Sequence, residues 1–171
     1  MEMKNTYLYR YFLVMFICFT IDSVMSYFLP MNYSKENIVI IPSIALMMYL
    51  LMIRDIDATY RYFFGGICGL YYSIVYSNSL AIYILIYMII AFIRSYIIKL
   101  EDLSFLEAIL FAVLTIFVQE IVIYWLMRIT NVTSMVLVQF LLLRVLPTLI
   151  VNMILFVGVY LVYNKIKIEV K

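Results

Sequence analysis

One apolar stretch, Gln139 to Tyr163, constrains the fold more than any other feature of the chain. It reads QFLLLRVLPTLIVNMILFVGVYLVY and is long enough to cross a bilayer, yet it contains Arg144, Pro147, Thr148 and Asn152. A charge at the centre of a helix in hydrocarbon costs about 2.5–3.5 kcal/mol on the insertion scale, so it needs a partner or a wet cavity. A proline removes a backbone donor and bends the helix unless neighbours compensate. A lipid-facing anchor has no use for such residues. The stretch must face other helices, and the rest of the chain must supply them.

The supply is ample. The chain has 171 residues, 68% of them hydrophobic, with mean hydropathy +1.11, far above the roughly 45–50% apolar share of soluble domains. Five further apolar runs precede the last: Tyr11–Leu29, Ile38–Ile53, Tyr62–Tyr76, Leu80–Ile98 and Phe105–Met127. Polar breaks separate them: Pro30 with MNYSKEN, the charged RDIDATYR, the tight Ser77-Asn78-Ser79 turn, KLEDLS, and ITNVTS. The first run is too long for a signal-peptide core and no small-residue cleavage site follows it, so it reads as an uncleaved span. Pro42 lies near the start of the second run, where a proline is cheap. Ser104 followed by Glu107 predicts a capping box at the start of the fifth. Continuous rather than alternating runs disfavour a β-barrel. The expectation is an all-α integral membrane protein, residues 1–171 forming a single bundle of six transmembrane helices.

Charge orients that bundle. With the N-terminus inside, inner segments hold Lys4, Arg10, Arg54, Arg61, Arg94, Lys99, Lys165, Lys167 and Lys171. Outer segments hold only Lys35 and Arg128, with Arg144 just within the sixth span. Nine against three obeys the positive-inside rule and predicts that both termini are cytoplasmic. In this topology Asp22, Glu120 and Arg144 lie five to eight residues inside the outer ends of their spans, about 8–12 Å deep at 1.5 Å per residue. Arg144 is expected to pair with Glu120, with Asp22, or with both, either as a lock on helix register or as part of a proton or substrate relay. Asn152 lies near the midplane.

Catalytic chemistry finds little here. There is no histidine, which removes the commonest general base and metal ligand. No G-x-S-x-G, Walker lysine or metal cluster is visible. Cys18 and Cys68 lie in apolar runs and read as buried thiols. The net charge of +2 includes no basic run suited to nucleic acid. Neither an enzyme nor a cofactor is expected. Gly65-x-x-x-Gly69 fits the small-residue motif of packed spans, within the bundle or against another protein.

The segment LLLRVLPTLIVNMILFVGVYLVY resembles the C-terminal span of the rod shape-determining protein MreD family, through Arg144, the Leu146-Pro147-Thr148 step and Asn152. GGICGLYYSIVYSNSLAIYILIY is similar to that family's third span, turn and fourth span. Ser73 stands where the family often has an acid, and Ala81 where a glycine is common. The resemblance implies a non-enzymatic subunit of the bacterial cell-elongation machinery, multi-pass in the cytoplasmic (cell) membrane. Its implied partners are MreC and cell-wall synthases of peptidoglycan synthesis, with membrane lipid around it and a homodimer left open. The alternative is a substrate-binding S component of an energy-coupling-factor vitamin transporter. Such subunits dock through a small-residue A-x-x-x-A pattern on the first span, but here that span reads FLVMFICFTIDSVMSYF, bulky throughout. A small channel or secondary transporter would show paired Gly/Pro breaks, and only Pro147 qualifies.

Overall fold

The computed structural model describes residues 2–28, 38–76, 80–97 and 104–169. The Pro30 break, the Ser77–Ser79 turn and most of KLEDLS lie outside them. Among the described residues the chain is all-helical, with six helical stretches and no strand. These are α1 (Glu2–Phe28), α2 (Ile44–Met52), α3 (Ala58–Tyr76), α4 (Leu80–Phe92, running into a π-helical turn Ile93–Ile97), α5 (Phe105–Ile129) and α6. The last opens as Leu137–Phe140, passes through a π-helical turn Leu141–Val145 and continues as Leu146–Glu169.

Three of these helices contain stretches long and apolar enough to cross a membrane: Leu8–Phe28, Phe105–Ile129 and Leu137–Ile166. Ile82–Ser95 is a shorter apolar stretch. Their outer surfaces are apolar as well. Phe16, Val24, Ile89, Leu110, Leu114, Ile154 and Leu161 are all exposed. An exterior with so many large apolar side chains marks a surface made for lipid or for other proteins.

The second apolar run departs most from a plain span. Residues 38–43 are not helical, and α2 covers nine residues only. Ala45 through Met52 are all buried, so α2 shows no lipid face. It lies inside the bundle against α1, α6 and α5, while α3 and α4 pair along their lengths. Pro42 and Ser43 explain the break. Proline disfavours a helical residue before it, and Ser43 has φ −133° and ψ 42°.

Helix ends follow local chemistry. At α5 the Ser104 side chain accepts from Glu107 N while Glu107 Oε2 accepts from Ser104 N at 2.8 Å, a complete capping box. At its other end Asn131 has φ 56°. Its N–H bonds Arg128 O at 3.3 Å and the Val132 N–H bonds Met127 O at 2.9 Å, the paired closure of a Schellman stop. Cys18 and Cys68 are buried and free.

Candidate functional site: a buried polar clamp

The extended segment 38–43 has backbone donors that no helix of its own satisfies. At membrane depth such backbone is tolerated only where protein buries it and completes its hydrogen bonds. Here α6 does so. Pro147 has no N–H to give to the carbonyl four residues earlier, Leu143, and the Val39 N–H takes that oxygen at 2.9 Å. The Ile41 N–H bonds Thr148 Oγ1 at 3.2 Å, and the Thr148 hydroxyl donates to Val39 O at 3.4 Å. The Ser43 N–H bonds Asn152 Oδ1 at 2.8 Å, and Asn152 Nδ2 donates to Ile41 O at 2.7 Å and to Thr148 O at 2.9 Å.

The spacing explains why these residues serve. Every second residue of an extended chain repeats at about 6.6 Å. Residues four apart on a helix repeat at about 6 Å. Thr148 and Asn152 are four apart, so their polar tips keep step with Ile41 and Ser43 of the extended segment. Leu143, five residues before Thr148 and freed by Pro147, continues the register to Val39.

Asp22 completes the clamp from α1. Its Oδ1 accepts from Ile44 N at 2.9 Å and its Oδ2 from Ala45 N at 2.8 Å. Both are first-turn N–H groups of α2, which has no other partner for them inside the helix. A carboxylate there also complements the positive end of the helix dipole. Ser43, the formal cap, makes no side-chain cap bond; a side chain from another helix takes its place. Asp22, Thr148 and Asn152 are each at most 1% exposed.

Arg144 and Glu120 form a separate unit. Arg144 Nε reaches Glu120 Oε2 at 2.6 Å, with side chains 6% and 1% exposed. The guanidinium stands 5.2 Å from the Phe140 ring centroid, and Nη1 approaches Met127 Sδ at 4.0 Å. Asp22 is engaged elsewhere, at the level of Asn152. Eight residues along α6 separate Asn152 from Arg144, about 12 Å. The three charged residues are therefore not at one depth.

The remaining residues singled out in the sequence pack. A Cβ at Gly69 would stand 2.6 Å from Ile84 Cα and 2.8 Å from Tyr83 O, so α4 lies directly on the glycine's backbone. A Cβ at Gly65 would meet the Tyr49 hydroxyl at 2.5 Å. That hydroxyl donates to Tyr87 O at 2.9 Å, linking α2 to α4. Ser73 sits one turn beyond Gly69 and returns its hydroxyl to Gly69 O at 2.8 Å. At the α2–α3 turn, Arg61 bonds Ser95 Oγ at 2.8 Å and Ile56 O at 3.0 Å, and Tyr163 donates to Asp55 at 2.7 Å. Tyr49 and Tyr163 carried no signal in the sequence, since seventeen tyrosines offer no way to choose among them.

Among the described residues no group of three Cys, Asp or Glu side chains is placed to hold a metal ion. The polar side chains of the clamp bond protein backbone, and the chemistry this supports is holding. No family model, curated protein or solved structure matches the chain.

Proposed function

We propose that this chain is a non-enzymatic, multi-pass scaffold subunit of the bacterial cytoplasmic membrane, similar to MreD, which binds MreC and helps organise peptidoglycan synthesis during cell elongation. One observation carries the reading. The residues on which the resemblance rests, Pro147, Thr148 and Asn152, are turned inward onto the chain's own backbone, and Arg144 onto Glu120. They build a rigid bundle whose remaining assets are its lateral faces and short ends.

Six spans with both termini cytoplasmic is the topology proposed. Residues 38–43 at about 3.3 Å each and the nine of α2 at 1.5 Å sum to roughly 33 Å, matching the ~30 Å hydrocarbon layer. The broken second run is thus long enough to cross. A fluorescent-protein or alkaline-phosphatase fusion at Lys171 tests the topology, and an extracytoplasmic end overturns it.

The function is tested by mild-detergent affinity purification of the tagged chain from its own membranes, with mass spectrometry. Recovery of MreC and a cell-wall synthase is expected. Recovery of paired ATPases and a coupling membrane subunit instead would make the chain a transporter component.

A further inference from the structure

Helices α4 and α5 do not close on each other. Between them runs a groove of about 530 Å³, walled on one side by Leu85, Ile89 and Ile93 and on the other by Leu114, Val118 and Val122. Its α4 wall extends from Ile82 to Ile93 and its α5 wall from Phe111 to Leu126. These are about 17 and 23 Å at 1.5 Å per residue, most of the hydrocarbon thickness. Gln119 also lines the groove. It is 5% exposed, and among the described residues its carboxamide has no hydrogen-bond partner. The neighbouring acid, Glu120, turns the other way to Arg144.

We propose that this groove seats a single transmembrane helix of a partner protein, with a hydrogen-bonding side chain of that helix meeting Gln119. Three kinds of occupant could enter a groove of this shape. An acyl chain would fill the apolar walls but leave the amide without a partner, which hydrocarbon penalises. A second copy of this chain, packed about a two-fold axis, would set groove against groove, and two concave faces do not fill each other. A lone helix presents a convex ridge that fits between two walls, and Ser, Thr, Asn or Gln on it satisfies the amide. The inference deepens the scaffold reading, on which it rests for the identity of the partner as a single-span protein such as MreC.

The test uses the full chain in its native membranes. A photoreactive benzophenone residue is placed at Leu85 or Leu114 in the groove, and at Val24 or Ile154 on exposed faces of α1 and α6. After illumination, both groove positions are expected to yield an adduct with the same single-span protein, and both control positions none. Gln119→Leu, which removes only the amide and leaves an apolar side chain, is expected to lower that adduct about three-fold or more. Its detergent-extracted yield should be unchanged. Groove adducts that are lipid only, a cross-linked pair of this chain, or an amount of partner adduct indifferent to Gln119→Leu each overturn the proposal. Co-purification of MreC with silent groove positions overturns the groove and leaves the scaffold reading standing. A single-span protein other than MreC, trapped at both groove positions, keeps the groove and removes MreC as the partner.

Discussion

Two regions of the interior are fixed by different chemistry. At the clamp, backbone groups of residues 39–45 are held by side chains and a carbonyl from elsewhere, some of them 107 to 111 positions away in the chain. At the α3–α4 contact the fit comes from atoms that are absent, the Cβ groups missing at Gly65 and Gly69. The clamp defines position by directed bonds, and each lost bond strands a buried polar group. The α3–α4 contact defines position by shape, and each added atom pushes two backbones apart. A hydrogen-bonded region should therefore fail when atoms are exchanged for others of similar size, and the steric region when size increases.

The largest effect expected falls beside the clamp, at Arg144. Arg144→Leu leaves Glu120, 1% exposed, as a buried charge without its cation. Removing one partner of a buried pair costs about 3–5 kcal/mol, measured as loss of stability in equilibrium unfolding from mixed micelles. Replacing both, Arg144→Leu with Glu120→Leu, should recover most of that loss, because apolar pairs of similar volume are tolerated. A double variant as unstable as the single would mean that Arg144 holds something other than Glu120.

Gly69→Ala comes next and breaks the other region. The added Cβ meets Ile84 Cα, Tyr83 O and Ile84 N within 3.0 Å, and backbone cannot move aside as a flexible side chain can. Overpacking of this kind costs about 1–3 kcal/mol. Gly65→Ala meets the Tyr49 hydroxyl first, so part of its cost should disappear in a Tyr49→Phe background if the ring shifts. Equal losses in both backgrounds would place the obstruction at the Tyr87 carbonyl, 3.3 Å away.

The same contrast separates what the sequence announced from what it concealed. Apolar runs, the Ser104–Glu107 box and the demand of Arg144 for an acid are local or compositional, and can be read without knowing the fold. Gly65 and Gly69 announced a close approach, though not that α4 would make it. The clamp was hidden because its logic is relational. Thr148 and Asn152 read as polar residues in a span, and Pro42 as a cheap early proline. Their roles appear only when the extended segment they set free is laid against α6. Asp22 misled for the same reason. An acid near an arginine in depth suggests a salt bridge, whereas two stranded N–H groups of α2 bound it better. The brevity of the second run, sixteen residues against the three to nine more in the first, fifth and sixth, was not enough to show that it would divide.

Asp22→Asn sharpens the clamp side at smaller scale. The amide keeps one oxygen for one α2 N–H and turns an NH₂ group toward the other. It also withdraws the charge that opposes the helix dipole. A loss of about 1–2 kcal/mol is expected, with α2 amides near Ala45 exchanging hydrogen faster than those of α3. Protection unchanged at Ala45 would mean that α2 is held by its packing alone.

The smallest effect is the one that keeps the steric account honest. Gly66 lies between the two packing glycines, yet a Cβ there would meet nothing within 4 Å. If the α3–α4 contact were a general preference of this stretch for glycine, Gly66→Ala should be harmful as its neighbours are. If the seat is set by which face α4 touches, Gly66→Ala should be neutral or stabilising by up to about 1 kcal/mol, since alanine is the better helix former. Thermal unfolding of Gly65→Ala, Gly66→Ala and Gly69→Ala side by side decides it. A Gly66 variant that falls with the other two would show that α3 is packed on more than one face, and the open surface assigned to it would have to be covered by another chain.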